Sequence, residues 1–446
     1  MLQEQKEILA MNRFDPEQSS ALAPDVYRHV ARRKASFGAS SVLFYAQPIE
    51  MVRARGAYMF DAHGRRYLDL YNNVASVGHS HPLVVEAVSR QLDILNTHTR
   101  YLNEGIEAYA EELLNTLPEP LSNLIMTCTG SEANDLALRI AQRKTNAKGV
   151  IVTRAAYHGN TAAVAEISPA GLRNRLPADH VKVIDAPDSR LAINGDAALH
   201  FEQSVSTAIR ELNSSGVGFC ALIVDSIFSS DGIFSDPAGF LQIAVQKVQQ
   251  ANGLFIADEV QPGFGRTGDA MWGFMRHGVI PDIVTLGKPM GNGFPMGGVV
   301  SRPELIQNFC EETGYFNTFA GSPVAAAAGS AVLKVLKEEG LIANAATVGV
   351  YLKKGLMTLK QRYPSVGDVR GTGLFIGLDL IDPKNASPDP NFAGRIINAL
   401  KENGILIGAA GRFGHTLKIR PPLCFSREDA DVFLETLDLT LSLHLR

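Results

Sequence analysis

The 446-residue chain carries 42 Lys and Arg against 46 Asp and Glu, a net charge of −4 that creates no global field to draw nucleic acid or an anionic membrane. Hydrophobic residues make up 46% and charged residues 20%, ordinary for a globular enzyme, and the length argues for about two to three domains. No apolar run approaches the roughly 18 residues of a membrane span, and the polar start MLQEQKEILAMNRFDPEQ lacks the apolar centre of a signal peptide.

In chain order, residues 15 to 36 read as a capped helix, with Ser19 or Ser20 placed before an Ala/Val/Tyr-bearing stretch. Its basic cluster, Arg28, Arg32, Arg33 and Lys34, covers one helical turn and reads as a solvated face. From Ile49 to Tyr71 the pattern alternates: MVRARGAYMFD and RRYLDLY flank Ala62-His63-Gly64, which predicts a hairpin. Amphipathic helices are then expected after Pro82 (LVVEAVSRQLDIL) and over Ile106 to Leu117.

The middle of the chain carries short apolar runs separated by helical stretches. They are LIMTC from Leu124, VIVTR from Val150, VKVID from Val181, ALIVD from Ala221, LFIAD from Leu254, IVTLG from Ile283 and MGGVV from Met296. Continuous rather than alternating apolar character marks strands buried on both faces, so the class is α/β with a mostly parallel seven-stranded sheet between helices. From about Pro323 a long Ala-rich helix leads into a mixed pattern that predicts a smaller α+β domain. The expected division is 1–75 as an N-terminal arm and hairpin packing with the small domain, 76–325 as the large domain and 326–446 as the small one. The four cysteines (Cys128, Cys220, Cys310, Cys424) are scattered, with no CxxC pair and no His at ligand spacing, so neither disulfides nor a metal is expected. A cytoplasmic setting fits that pattern.

In parallel sheets, ligands bind beyond the carboxyl ends of the strands, and here several strand ends carry unusual residues. After LIMTC comes Thr129-Gly130-Ser131-Glu132-Ala133-Asn134, opening a helix: glycine admits an anion, Ser131 offers a hydroxyl and the helix end offers free N–H groups. Taken alone, the segment reads first as a Ser-capped helix start with Glu in its first turn. Asp258 ends LFIAD, where a buried acid is costly without a cation such as a protonated pyridine nitrogen; alone it is equally a capping Asp. Lys288 follows IVTLG and precedes a glycine-rich turn, where desolvation favours imine chemistry, although a lone lysine there is often a surface residue. Tyr157, in Tyr157-His158-Gly159, offers a flat ring or a core tyrosine. Together, a phosphate cup, a stacking ring, a pyridinium acid and a lysine fit one ligand, pyridoxal 5′-phosphate (PLP).

The runs around these residues, with ADEVQPGFGRTG at Asp258 and Asn317-Thr318-Phe319-Ala320-Gly321, resemble class III (ω-type) aminotransferases of PLP fold type I, from about Gly56 to Arg446. The resemblance implies Lys288 as the Schiff-base lysine and Asp258 as the partner of the pyridine nitrogen. It further implies Gly130 and Ser131 on the phosphate, Tyr157 stacked on the ring, and Val260 and Gln261 on its other side and near its phenolic oxygen. It places Thr318 on the phosphate of a neighbouring subunit, and so implies a homodimer with shared active sites.

Within that family, NNVASVGHSHPLVVEA, LNTHTRYL, TGSEANDLALR, YFNTFAGSPV, GDVRGTGLFIGLDLI and LKIRPPLCFS are most similar to phospholyases acting on O-phosphoethanolamine and phosphohydroxylysine. Two departures from the aminotransferase pattern agree. Many members grip a substrate carboxylate with an arginine at the position of Lys418, and hold that arginine with a glutamate at the position of Ser230. Lysine cannot reproduce arginine's bidentate fork. Lys418 and Arg420 alternate along a predicted strand, so they share a face, and two cations there suit a phosphate monoester; the alternative is ordinary ion pairing. On the resemblance alone, Asn73 and Arg100 join them as substrate-binding candidates. The expected reaction is β-elimination of phosphate from a small amino-phosphate ester, with ω-amino-group transfer to a keto acid as the alternative. A DNA-binding regulator built on the same fold is disfavoured, because the first 45 residues are too short and not basic enough for a winged helix.

Overall fold

The protein is described by a computed structural model covering residues 10–172, 176–188, 190–191 and 195–444. Near the N-terminus the single helix expected over 15 to 36 is divided. The Asp15 side chain, not Ser19 or Ser20, caps a short 3-10 turn at Pro16–Ala21, and an α-helix runs over Pro24–Phe37. The break lies where proline forces its predecessor into extended backbone: Ala23 has ψ 146°.

The alternating segment forms three strands rather than two. Strand β1 (Met51–Arg55) pairs antiparallel with β2 (Tyr58–Asp61), and β2 with β3 (Arg66–Asp69). Gly56 turns the chain between β1 and β2 at φ +58°, a conformation that favours glycine. The second turn, at Ala62-His63-Gly64, is held by the Asp61 carboxylate, which accepts the N–H of His63 at 3.0 Å and of Arg65 at 2.9 Å. The two helices that follow are Pro82–Ile94 and Glu104–Leu114, the latter capped by Asn103.

All seven apolar runs form strands: β4 (Asn123–Thr127), β5 (Gly149–Thr153), β6 (Val181–Ile184), β7 (Phe219–Val224), β8 (Leu254–Asp258), β9 (Ile283–Leu286) and β10 (Gly297–Ser301). They make one sheet in the order β4-β10-β9-β8-β7-β5-β6. Strand β10 runs antiparallel to both β4 and β9, and the remaining pairs are parallel. Two-sided burial demands a continuous apolar run whatever the strand direction, so the sequence pattern of β10 carries no mark of its reversal. Because β4, β5, β7, β8 and β9 run the same way, their carboxyl ends share one edge.

Beyond the Ala-rich helix Pro323–Glu338 and the helix Leu341–Arg362 lies a third sheet. It contains β11 (Val366–Thr372), β12 (Phe375–Leu380), β14 (Gly408–Ala410) and β15 (Thr416–Ile419), all antiparallel, in the order β11-β12-β15-β14. The intervening β13 (Ile405–Leu406) leaves that sheet and pairs parallel with β3, so the first and last parts of the chain build one sheet. Asp379 of β12 is fully buried and accepts Arg370 at 2.7 and 2.9 Å, Thr416 at 2.6 Å and Arg190 at 2.8 Å. Arg370 also donates to the Gly232 carbonyl at 2.9 Å, which ties the third sheet to the segment after β7.

Candidate active site

The shared strand edge opens into a cavity of about 260 Å³ lined by Gly130, Ser131, Tyr157, Asp258, Val260, Gln261 and Lys288, together with Thr129, His158, Gly159 and Asp225. That size suits one small ligand rather than the roughly 300–1,000 Å³ of drug-sized pockets. A broader groove of about 690 Å³ lies between helices Pro82–Ile94 and Pro323–Glu338, but it holds none of the strand-end residues. Chemistry therefore points to the smaller cavity.

One wall is the start of the helix Gly130–Thr145, whose N-cap Thr129 accepts the Glu132 N–H through its side chain. Close approach there requires glycine. A Cβ on Gly130 would lie 2.8 Å from Val260, and one on Gly159, at φ +145°, would lie 2.5 Å from Ser131 Oγ. The Ser131 hydroxyl accepts the Asn160 N–H at 3.2 Å and faces the same space. Free N–H groups, a hydroxyl and a positive dipole end together form an anion cup.

Asp258 ends β8 in a fully occupied setting. Its Oδ2 lies 2.7 Å from His158 Nδ1 and accepts Asn134 Nδ2 at 3.0 Å, while Oδ1 accepts the Val260 N–H at 3.1 Å. Asn134 is itself fixed, donating to the His158 carbonyl at 2.7 Å and accepting Thr285 Oγ1 at 2.7 Å. The carboxylate thus keeps a set direction without a neighbouring arginine or lysine in contact.

Lys288 follows β9, and its side chain is exposed into the cavity while its neighbours Gly287, Pro289 and Met290 are buried. Burial, and then the Arg420 charge, push its ammonium pKa down, with Asp258 and Asp225 opposing. Burial raises the Asp225 carboxyl, although Ile227 N, Ser229 N and Ser229 Oγ donate to it. Burial also raises the Tyr157 phenol.

Lys418 and Arg420 are both buried and converge on a single acceptor, Gln261 Oε1, with Lys418 Nζ at 3.1 Å. Arg420 also grips the Tyr71 carbonyl through Nε at 3.1 Å and Nη2 at 2.6 Å. Their partners are an amide and a carbonyl, so ordinary surface ion pairing does not describe them. Asn73 stands on the other side of Gln261, donating to its main-chain carbonyl at 3.1 Å, and leaves Oδ1 buried without a partner. Ser230 is buried, and its hydroxyl is likewise unpartnered.

Asn73, Lys418 and Arg420 do not line the cavity themselves but bond Gln261, which does; two further candidates have no such link. Arg100 is exposed, its guanidinium 4.0 Å from the Phe316 ring centroid, and Thr318 is exposed nearby in sequence. Three groups at the site carried no expected role: Asp225 and His158, which line the cavity, and Asn134, buried behind Asp258. Asp225 follows the ALIVD strand core as Asp258 follows that of LFIAD, a parallel visible in the sequence. Asn134 lies one turn into the cup helix, and only the fold brings it against Asp258.

The family model described as Aminotransferase class-III matches residues 43–441. A Drosophila melanogaster protein named alanine–glyoxylate aminotransferase 2-like is 41% identical over 90% of this chain and 84% of its own length. Ethanolamine-phosphate phospho-lyase homolog 1 of Caenorhabditis elegans is 38% identical over 92% of each. Among solved structures, a phospholyase from Arthrobacter in complex with phosphoethanolamine superposes with a TM-score of 0.90 and 44% identity, over 93% of this chain and 99% of that one. The seven-stranded, mostly parallel sheet, the strand-edge cavity and these matches identify the chain as an enzyme of the class III aminotransferase family, with the architecture of PLP fold type I.

Proposed function

We propose that the protein uses PLP to eliminate phosphate from a small amino-phosphate ester such as O-phosphoethanolamine, releasing an aldehyde, ammonia and phosphate. The observation that carries this reading is the pair Lys418 and Arg420, two buried basic side chains converging on one neutral amide oxygen, that of the cavity-lining Gln261. A doubly charged phosphate gives such a pair the charge-assisted partner that an amide cannot. The names of the worm relative and of the Arthrobacter structure support the same substrate class.

The cavity's residues fit the cofactor. Gly130 and Ser131 would take its phosphate, in a cup that a Cβ on Gly130 or Gly159 would fill. Tyr157 would stack on the ring, Val260 and Gln261 would lie on its other side and near its phenolic oxygen, and Asp258 would hold the pyridine nitrogen protonated. Once bound, PLP supplies an electron sink for charge developing on the carbon beside the substrate nitrogen. Lys288, the lysine that holds it, is freed by the substrate amine and takes the proton from that carbon; its depressed pKa suits this work. Phosphate on the adjacent carbon then departs toward Lys418 and Arg420. In a homodimer, Thr318 and Arg100 would reach the neighbouring site. The chain divides on this reading into 1–75, 76–325 and 326–446, with support from the β3–β13 pairing. The four free thiols support a reducing cytoplasm.

The name of the fly relative favours a second reading, ω-amino-group transfer to a keto acid. The same residues would serve it, with Lys288 moving the same proton and no phosphate departing. Adding O-phosphoethanolamine to the holoenzyme without a keto acid separates the two. Catalytic phosphate release with the starting spectrum regenerated establishes elimination. Stoichiometric conversion to the pyridoxamine form without phosphate establishes transamination.

A further inference from the structure

We propose that Lys418 is the group that delivers a proton to the phosphate oxygen as the carbon–oxygen bond breaks, with Arg420 beside it as the fixed counter-charge. This rests on the elimination reading above.

The two cations are held differently. Three of Arg420's guanidinium nitrogens are engaged, Nε and Nη2 on the Tyr71 carbonyl and Nη1 on Gln261 Oε1, and a guanidinium keeps its proton in any protein setting. It can grip a phosphate but cannot protonate one. Lys418 has three donor positions and, among the described residues, one acceptor, Gln261 Oε1 at 3.1 Å. Below it lies the Phe375 ring, 5.3 Å from Nζ to the centroid, which offers no acceptor stronger than a π face. The charges that face it are Arg420, Lys288 and Asp225: two cations against one carboxylate. That carboxylate is committed to the Ile227 and Ser229 N–H groups and the Ser229 hydroxyl.

Such a lysine surrenders its proton readily. Burial, and then the neighbouring Arg420 charge, hold its ammonium well below the usual lysine range. A phosphate dianion brought against Nζ reverses that balance, because it supplies the missing opposite charge. A bound ester dianion therefore favours the ammonium form of Lys418, the form that a general acid must have.

The chemistry requires one. An ester dianion that leaves without a proton must depart as the phosphate trianion, a poor leaving group. In the balanced step, Lys288 takes the proton from the carbon bearing nitrogen, and the carbon–oxygen pair passes to the bridging oxygen. The Lys418 ammonium gives that oxygen its proton, and hydrogen phosphate leaves. Lys288 ends as the ammonium and Lys418 as the amine, and proton exchange with solvent restores both. No oxidant or second substrate enters.

The test compares two leaving groups. Chloride needs no proton, so the holoenzyme is given O-phosphoethanolamine or 2-chloroethylamine at saturation. In Lys418→Arg, which keeps a cation and donors, the ratio of phosphate to chloride turnover is expected to fall roughly 10²–10⁴-fold. A second readout needs no turnover. Sulfate, a dianion with no proton to exchange at pH 8, is titrated calorimetrically into the holoenzyme in two buffers of different ionisation enthalpy. The wild type is expected to take up protons with the anion, and Lys418→Arg is not. If arginine is not accommodated, Lys418→Gln is used, with bound cofactor absorbance as the check on folding. An unchanged leaving-group ratio, or proton uptake that persists in the variant, overturns the proposal and leaves Lys288 as the donor. A wild type that eliminates chloride but never phosphate overturns the elimination reading, and this assignment with it.

Discussion

His158 Nδ1 meets Asp258 Oδ2 at 2.7 Å, while the other ring nitrogen of His158 is buried without a partner. The histidine lies on the loop after β5 and lines the cavity beside Asp258, and Asn134 bonds both residues. Asp258 thus enters the cavity with its direction set by His158 and Asn134 together. His158→Ala should leave Asp258 mispositioned and weaken cofactor retention about 10–100-fold, the worth of a hydrogen bond to a charged group. Cofactor absorbance after equilibrium dialysis measures this; a variant that retains cofactor as the wild type does would show that the pair is idle.

The assignment of Lys288 is tested by covalent trapping. Borohydride treatment of the holoenzyme should leave the cofactor attached to the peptide that contains Lys288, and Lys288→Ala should carry no adduct by mass spectrometry. An adduct that survives the substitution would move the attachment point elsewhere.

Gly159 has φ +145°, and a Cβ there would meet Ser131 Oγ at 2.5 Å. Gly159→Ala should cost about 1–3 kcal/mol through backbone strain and push Ser131 out of the cup. Thermal unfolding with and without cofactor should show lower stability and a smaller gain on cofactor addition. An unaltered gain would remove Gly159 from the anion site.

Asp379 offers a pH signature. Against a burial penalty that acts the other way, His415 and Arg370 hold its carboxyl well below the ordinary 3.8. A depressed acid contributes stability that is full above 3.8 and lost as pH falls toward the folded value. Asp379→Asn should cost about 3–5 kcal/mol near neutral pH, because it breaks the buried pair and leaves Arg370 with the partly exposed Asp368, at 3.2 Å, as its carboxylate. The gap between variant and wild type should narrow below pH 3.8, as followed by denaturant unfolding across pH.

Leu102 is 97% exposed and Phe319 79%, with Tyr101 and Thr318 beside them in sequence. Sedimentation should reveal a dimer, and Leu102→Asp should shift it toward monomer and lower activity at micromolar concentration. A wild-type chain that is monomeric and fully active would overturn the shared-site arrangement.

The strands of the large sheet were legible because burial on both faces leaves a continuous apolar run, and the chemistry lay at their ends. Asp258, Lys288 and Gly130 could be placed without coordinates, since each follows such a run. The reversal of β10 was not legible, because burial rather than direction shapes its composition. The division of the N-terminal helix could have been read from Pro24, whose effect on Ala23 is local. Asn134 and His158 were beyond reach for a different reason: they meet Asp258 from 124 and 100 positions away in sequence, and neither contact leaves a local pattern.

The parallel pairing of β13 with β3 sets a timetable. Leu68 finds its partner in Ile405, so the first sheet waits for the last tenth of the chain. At the usual pace of synthesis, the delay is about 20–70 s. The residues proposed to hold the cofactor, from Gly130 to Lys288, emerge well before Lys418 and Arg420. On the proposed reading, the chain emits the residues that would hold PLP before the two that would hold a phosphate ester, and a C-terminal truncation ahead of Lys418 would remove that second pair alone.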